Sequence, residues 1–264
     1  MESGLHITLA AERLFTLWGI PITSATLGMW LVIAVLAIMG VLIRFRTSLV
    51  PGRLQNAFEM LFEYLLDMME KTLGTRKLAL RYFPFIATIF LFILTANLFE
   101  FLPIYGTFTL NHGEERLPLF HTSTADLNTT LALAIISFLV IEVSGILTLG
   151  VLKYGSKFVN FKEGVMMFVV GLLELIGNLA RLISFSFRLF GAIFAGEVLL
   201  MVIGTFVPYV LPVPLMAFEA FIGLLQAGIF AILTLAFIKI AIDEPRSSHS
   251  EENHKHQMTN HKTV

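Results

Sequence analysis

The sequence predicts an all-α integral membrane protein, and three observations carry the prediction. The chain is 56% hydrophobic and only 14% charged, whereas charged residues make up about 25% of an ordinary soluble domain. Several apolar runs reach the roughly 20 residues that a helix needs to cross a bilayer. Basic residues cluster in alternate connecting segments, as expected for loops on the cytoplasmic side. We therefore expect five membrane-crossing helices within a single membrane domain, residues 1–242.

The composition also excludes several soluble function classes. The net charge of −1 gives no indication of nucleic-acid binding. The absence of cysteine excludes disulfides and thiolate chemistry. The sequence contains no Gly-rich phosphate loop, no zinc-binding spacing and no Ser/His/Asp arrangement typical of a hydrolase. We predict no cofactor, no metal site and no catalytic centre, so the polar residues inside the apolar runs must carry the function.

The first third of the chain combines one span with two amphipathic segments. The apolar face of the opening segment is formed by Ile7, Leu14, Leu17 and Trp18. This face predicts a short interfacial helix, and a turn at residues 21–24 leads into a first span at residues 25–43. In residues 50–81, apolar residues recur at helical spacing with acidic residues between them. That pattern predicts an amphipathic helix on the membrane surface or against a partner.

The second and third spans flank a polar segment. Residues 83–102 form the second predicted span, which Pro103 closes, and residues 129–152 form the third. Between them, residues 105–126 contain Gly, His and charged residues. This composition predicts an exposed loop.

The last two apolar runs predict a long helical hairpin. As a straight helix, residues 165–203 would be roughly 58 Å long, about twice the thickness of the hydrocarbon core. This helix must therefore be steeply tilted, bent or broken. A Pro-containing turn separates it from the last run, residues 215–242.

The placement of Lys and Arg orients these helices. Residues 44–81 hold seven basic residues and residues 153–162 hold three, whereas residues 104–128 hold only Arg116 and residues 204–214 hold none. The positive-inside rule then predicts the N-terminus outside and the C-terminus in the cytoplasm.

The segment after the last span, residues 243–264, is polar and contains four histidines, His249, His254, His256 and His261. A metal site is one interpretation of this cluster. Because the segment is charged and offers no fixed scaffold, we predict a solvated, disordered tail instead.

Arg188 is the most informative polar residue, because it lies inside the fourth run among phenylalanines. A charged side chain in the hydrocarbon region costs at least about 2.5–3.5 kcal/mol, and a guanidinium stays protonated there. Such a residue is kept when something passes it or pairs with it. The alternatives are that Arg188 snorkels to the interface or bonds backbone carbonyls.

Other polar residues of the last two runs follow helical spacing. Four of them share one stripe of the fourth run, at i, i+4, i+7 and i+14, namely Glu174, Asn178, Arg181 and Arg188. Ser184 borders this stripe. Glu197 lies roughly 13 Å of helix rise beyond Arg188 and about half a turn away from it. On the last run, Glu219 and Gln226 share one face at i, i+7.

If the last two runs form an antiparallel helix pair, the depth of each polar residue in the membrane leads to a functional hypothesis. Glu197 and Glu219 would share the outer half of the membrane, Arg188 and Gln226 the middle, and Glu174 would lie toward the inner surface. This arrangement predicts two ion-access paths, neither of which crosses the whole membrane. The alternative is that each polar side chain bonds a neighbouring helix and fixes the packing.

A family resemblance supports the ion-handling hypothesis. Residues 186–197, SFRLFGAIFAGE, resemble the Arg-Leu-Phe-Gly…Ala-Gly-Glu segment of subunit a of the bacterial rotary F-type ATP synthase. The resemblance covers residues 5–244. Its other segments are LLQAGIF at 224–230, TADLNTTLALA at 124–134, NLFEFLPI at 97–104 and GIPITSATLGMWLV at 19–32.

The resemblance implies a stator subunit that is not catalytic by itself. Two offset half-channels would pass protons to and from carboxylates of a c-subunit ring, and would thereby couple proton flow to rotor rotation and ATP synthesis. The implied partners are the c-ring, the b-subunit peripheral stalk, the remaining ATP synthase subunits and membrane lipid. The implied location is the bacterial inner membrane.

The residue roles of the family carry over position by position. Arg188 would be the essential arginine facing the ring, with Gln226 opposite it. Glu197 and Glu219 would line the outer half-channel. The residues implied for the inner half-channel are Glu174 and Ser184.

Two positions depart from the family pattern. Ala192 stands where many members have Asn, so a polar channel residue is missing. Glu219 stands where some members carry a channel histidine, which keeps a titratable group but changes the charge of the outer path.

Two other function classes remain as alternatives. A secondary ion transporter or antiporter would also bury charges at mid-membrane, but it predicts inverted repeats between the two halves, and the sequence contains none. A purely structural membrane scaffold would tolerate neutral replacements of Arg188 and Glu197.

Overall fold

The computed structural model describes residues 13–17, 19–46, 52–102, 109–112, 115–118, 121–150, 165–207 and 210–243. Within these residues, five helices are long and apolar enough to cross a membrane. The predicted fold class, an all-α integral membrane protein, is therefore confirmed. Two short antiparallel hairpins accompany the helices.

The described helices agree in order with the predicted runs. Their bounds are α1 Ser24–Arg46, α2 Arg53–Leu73, α3 Arg76–Phe99, α4 Leu127–Leu149, α5 Val165–Phe206 and α6 Pro212–Ile242. All except α2 are candidate spans. In α2, Leu65, Met69 and Leu73 are buried while the acidic residues Glu59 and Glu63 are exposed, so this helix is amphipathic as predicted.

The amphipathic helix ends earlier than the sequence pattern predicts. Gly74 adopts a left-handed conformation with φ 82°, and its N–H donates to the carbonyl of Glu70. Glycine reaches this conformation without the steric cost that a Cβ imposes. The Arg76 guanidinium, which follows the break, lies 2.8 Å from an Asp67 oxygen and 3.0 Å from a Glu70 oxygen. The helix that contains the second predicted span, α3, therefore begins at Arg76.

In the described part of the N-terminal segment, residues 13–17 and 19–23 form a β-hairpin rather than the predicted amphipathic helix. Strand β1 Arg13–Leu17 pairs antiparallel with β2 Ile20–Thr23. Gly19, with φ 82°, lies in the turn between them, and this conformation ends any helical path. Leu14 and Ile22 are buried, so burial of apolar side chains stabilises the hairpin. Ile7 and Trp18, also assigned to the predicted helix, lie outside the residues described.

The polar segment before α4 is only partly the predicted exposed loop. Strands β3 Thr109–His112 and β4 Glu115–Pro118 form a second hairpin. Residues 122–126, by contrast, are all buried. They form a 3-10 turn at Ser123–Ala125, and the Asp126 carboxylate caps α4 by accepting from the backbone N–H of Asn128 at 2.9 Å. Their short polar side chains provide hydrogen-bond partners for buried backbone groups. For example, Ser123 Oγ donates to the carbonyl of Ala25 at 3.2 Å.

The hydrophobic core lies where α3 and α6 pack together, with α2, α4 and α5 around them. Ile86 and Ile93 of α3 and Leu235 of α6 are fully buried there. Phe185 of α5 joins the core through Phe230, whose ring centroid is 5.1 Å away. This packing holds the hairpin of α5 and α6 against the rest of the protein.

Helix α5 contains 42 residues and would be roughly 63 Å long if straight, in agreement with the length expected from the fourth apolar run. Residues 244–264 lie outside the described part of the chain. The predicted disordered tail, its histidines and the domain boundary at residue 242 therefore stay predictions.

Candidate functional site

Arg188 lies on an exposed face of α5. Its Nη2 donates to Ser184 Oγ, one helical turn earlier, at 3.2 Å. In the described part of the chain, Arg188 makes no ion pair with an acidic residue. The guanidinium is therefore presented outward with most of its donors open to a partner.

The surface around Arg188 is apolar. Phe187, beside Arg188, is 57% exposed. Only 11% of the residues in an apolar stretch of α5 are buried inside the protein. On α6, the large apolar side chains that are exposed include Phe218, Phe221 and Leu225. An exposed apolar surface of this kind suits lipid or the helices of another membrane subunit.

The other members of the predicted stripe do not share the environment of Arg188. Asn178 is buried, and its Nδ2 donates to Oε1 of Glu142 on α4 at 3.2 Å. The Arg181 guanidinium lies over the ring of Phe237 on α6, 3.9 Å from its centroid, at cation–π distance. Glu174 is half-buried. The stripe therefore follows the boundary of the packed interface, and only its Arg188 end turns fully outward.

Glu219 of α6 lies between the two long helices. It is level with the part of α5 that follows Arg188, whereas Asn178 precedes Arg188. It is only 4% exposed, and neither carboxylate oxygen has a hydrogen-bond partner among the described residues. A cavity of about 160 Å³ adjoins Glu219 between α5 and α6, and Ala192 and Gly196 also line it. Since a water needs only about 10–15 Å³ of such volume, this cavity has room for water next to the carboxylate.

Two titratable groups extend this cluster, and the sequence patterns did not predict either as a site residue. Glu100, directly after α3, lies within electrostatic range of both Glu219 and Glu197, and its Oε2 is buried without a partner in the described residues. His121 Nδ1 lies 3.4 Å from Oε1 of Glu197. Glu100 lies in the NLFEF segment and His121 lies just before the TADLN segment, both of which show only family similarity. No helical period connects either residue to α5.

A buried hydrogen-bond network fixes α6 beside the cluster. Asn97 of α3 donates from Nδ2 to the carbonyl of Gly223 at 3.0 Å and accepts from Thr124 Oγ1 at 2.7 Å. A Cβ on Gly223 would lie 2.9 Å from the Asn97 Cβ, so glycine permits this close approach. Gln226, one turn further on, is buried with its Nε2 unpartnered. No hydrogen bond joins Gln226 to Arg188 in the residues described.

We expect Gly196→Ala to impair function without unfolding the protein. A Cβ at this position would overlap Oε1 of Glu219 and lie 2.7 Å from its Cδ. The overlapping atoms are the end of a flexible side chain, so the carboxylate must move while the backbone stays in place. Thermal unfolding in detergent should be nearly unchanged, whereas proton flux through the assembled complex should fall about tenfold.

Gly204→Ala is the matched control for this substitution, because a Cβ at Gly204, also on α5, meets nothing within 4 Å. Equal proton flux in the two variants would show that the position of the Glu219 carboxylate is unimportant.

The site as a whole combines two features. Titratable carboxylates lie beside a cavity large enough for water, and one fixed cation lies on an apolar face. Such groups can hold and release protons, while the cation stabilises an anion that approaches it. Within the described residues, no group of three or more His, Cys, Asp or Glu is placed to hold a metal ion.

Comparison with known proteins identifies the family. The family model described as "ATP synthase A chain" matches residues 26–239. The chain belongs to this family. A curated relative named "ATP synthase subunit a 2", from Syntrophotalea carbinolica, is 34% identical over 218 residues, or 81% of this chain and 84% of the relative.

Two further members of the ATP synthase A chain family show the same extent of similarity. "ATP synthase subunit a" of Moorella thermoacetica is 31% identical over 227 residues, covering 86% of this chain and 94% of the relative. The protein of the same name from Campylobacter jejuni strain 81-176 is 35% identical over 209 residues, covering 78% and 84%. With its five candidate spans, the chain is a multi-pass membrane protein of ATP synthesis and proton transport.

Proposed function

We propose that this chain is the ion-translocating stator subunit of an F-type ATP synthase and provides two offset half-channels to a rotating c-ring. The observation that carries the proposal is Arg188, an unpaired cation among the described residues, on an exposed apolar face of a helix longer than the membrane is thick. A desolvated guanidinium without an acid of its own subunit is suited to a carboxylate supplied by another subunit.

The outer half-channel consists of Glu197 and Glu219, with Glu100 as an additional, partly buried acid. A proton from outside reaches Glu219 by way of Glu197 and the cavity between α5 and α6. It then neutralises a carboxylate on a rotor helix. The neutral carboxyl can turn through lipid, which a charged one could not do at low cost. Ala192, in place of the Asn of many family members, lines this cavity and leaves more of its volume to water.

Arg188 separates the two half-channels. An opposite charge within about 4–6 Å lowers a carboxyl pKa by roughly 1–3 units, so a rotor carboxyl that reaches Arg188 loses its proton to the inner path. The same positive charge repels a cation that would slip directly between the paths. The membrane potential contributes about 2.3 kcal/mol per charge per 100 mV to this cycle.

The inner half-channel begins at Ser184 and continues toward Glu174. Ser184 already contacts Arg188. Asn178 lies between Ser184 and Glu174 along α5 and is hydrogen-bonded to Glu142. Asn178 and Arg181 hold α5 against α4 and α6, and so set the width of this path. Gln226 lies at mid-depth on α6, with an amide group free to bond a passing carboxyl or water.

The proposal includes partners and an orientation. The exposed apolar face of α5 and α6 contacts the c-ring, and other surfaces contact lipid, the b-subunit peripheral stalk and the remaining subunits. The distribution of Lys and Arg places the N-terminus outside and the C-terminus in the cytoplasm of a bacterial cell. The subunit is not catalytic by itself.

Reconstitution with and without the rotor tests the proposal. The purified chain in vesicles under a diffusion potential should show proton flux no greater than empty vesicles. The complete complex should show flux that is coupled to ATP synthesis and blocked by a carbodiimide that modifies the rotor carboxylates. Coupled transport by the purified chain alone would instead indicate a secondary transporter, and the stator role would then be wrong.

A further inference from the structure

We propose that His121 is the proton acceptor at the mouth of the outer half-channel and passes protons to Glu197. This inference rests on the proposed function and adds a residue from outside the two long helices. It identifies where protons leave outside water and enter the protein.

The position of His121 is fixed by its surroundings. Its backbone N–H donates to the carbonyl of Ser24 at 3.4 Å, and the next five residues are all buried. The side chain itself is 32% exposed, and the Glu197 side chain that faces it is 25% exposed. The imidazole is therefore held at the protein surface, with one side open and the other against the carboxylate.

The order of burial gives the direction of a relay. His121 and Glu197 are both partly exposed and lie 3.4 Å apart. Glu219, which lies beside Gly196, the residue before Glu197, is only 4% exposed. Protons that enter at His121 would therefore move through progressively less solvated groups toward the helix hairpin.

Other titratable groups lie near this pair. Glu100 interacts electrostatically with Glu197 and Glu219, and Glu219 with Glu197. Asp126 lies in the same segment as His121, where it caps α4, and α1 contributes the Ser24 carbonyl. His121 therefore lies at the partly exposed end of a cluster of acidic side chains.

The proton transfer breaks one N–H bond and forms one O–H bond. Outside water delivers a proton to the neutral ring, which becomes an imidazolium. The N–H bond at Nδ1 then breaks, an O–H bond forms at Oε1 of Glu197, and the ring is left neutral with its other proton on Nε2. Exchange with water at the exposed ring restores the starting tautomer.

The relay predicts a specific pH dependence. Imidazole side chains change charge between about pH 5 and 8, so a histidine in a relay can supply protons over a range in which hydronium becomes scarce. Without it, uptake should be first order in hydronium and fall about tenfold for each pH unit. With it, uptake should stay nearly level until the imidazole deprotonates.

The experiment compares His121→Gln with the unaltered protein in the complete ATP synthase. Inverted membrane vesicles place the outer side of the subunit in their interior. ATP synthesis is driven by a fixed potassium diffusion potential, with external pH held at 8 and internal pH varied from 5 to 8. The two rates should be similar at internal pH 5, and the variant should be at least about tenfold slower near pH 7, within the range of general acid–base effects.

A constant ratio of the two rates at every pH, or equal rates, would overturn the relay, because a merely structural histidine would act independently of pH. The amount of subunit assembled in the membrane is measured for both. Arg188→Ala in the same vesicles separates the two levels of the proposal. If that variant still synthesises ATP, the half-channel function fails, whereas if only His121→Gln behaves like the unaltered protein, the relay alone fails.

Discussion

Arg188→Ala should abolish both ATP-driven proton pumping and proton-driven ATP synthesis, while the subunit still inserts and assembles. In the proposed mechanism, the substitution removes the charge that favours ionised rotor carboxylates between the two half-channels. Removal of one such electrostatic group from an active site costs about 10²–10³-fold in rate, and here it also removes the barrier to direct leakage. ATP-dependent acidification of inverted vesicles and ATP synthesis under a diffusion potential measure the two directions.

Protein stability should not change in this variant. Arg188 is exposed, and its one described hydrogen bond is to Ser184 on its own helix, so its loss leaves no buried group unpaired. Arg53→Ala, an exposed arginine at the start of α2, is the control and should leave both activities intact. Normal coupled synthesis by Arg188→Ala would contradict the stator role.

Arg188→Lys extends the same prediction. A lysine retains the positive charge, but its ammonium is compact and loses its proton more readily in an apolar environment. It also lacks the planar fork with which a guanidinium binds a carboxylate at two points. Coupled activity should therefore be lost as well, which separates a requirement for the guanidinium from a requirement for any cation.

The helices were predictable because bilayer thickness imposes a length on apolar runs. The excess length of α5 was visible in the same way. The turn chemistry was harder to predict. At Gly74 a single left-handed residue divides a continuous amphipathic pattern into α2 and α3, and at Gly19 another such residue turns an apparent interfacial helix into a hairpin. Helical periodicity does not register either change, because glycine occurs both inside helices and at their ends.

The candidate site shows a second limit of sequence patterns. Spacing along α5 predicted that Asn178 and Arg188 share one stripe, but it could not tell which neighbouring helix would cover one and leave the other exposed. Residues from other elements were invisible to this reasoning. His121 reaches Glu197 only because the buried turn after it packs against several helices, and such long-range contact leaves no period in the sequence.

Glu219→Gln should slow proton transfer at the outer half-channel by about 10²-fold, at the lower end of the range for lost acid–base groups. Glutamine has nearly the same shape as glutamate, but it cannot accept and release a proton at neutral pH. Passive proton flux through the membrane part of the complex, after removal of the catalytic head, measures this step directly. ATP hydrolysis by the detached head should be unaffected.

The matched control is Glu63→Gln on α2, which makes the same chemical change at an exposed acid and should leave proton flux unchanged. Comparison with Gly196→Ala then assigns the effect. If Glu219 acts as a proton carrier, moving its carboxylate with Gly196→Ala should slow flux less than removing the titratable group with Glu219→Gln. If both variants conduct normally, protons do not pass by Glu219, and the outer half-channel must follow Glu100 and Glu197 alone, because these are the remaining acids of the described cluster.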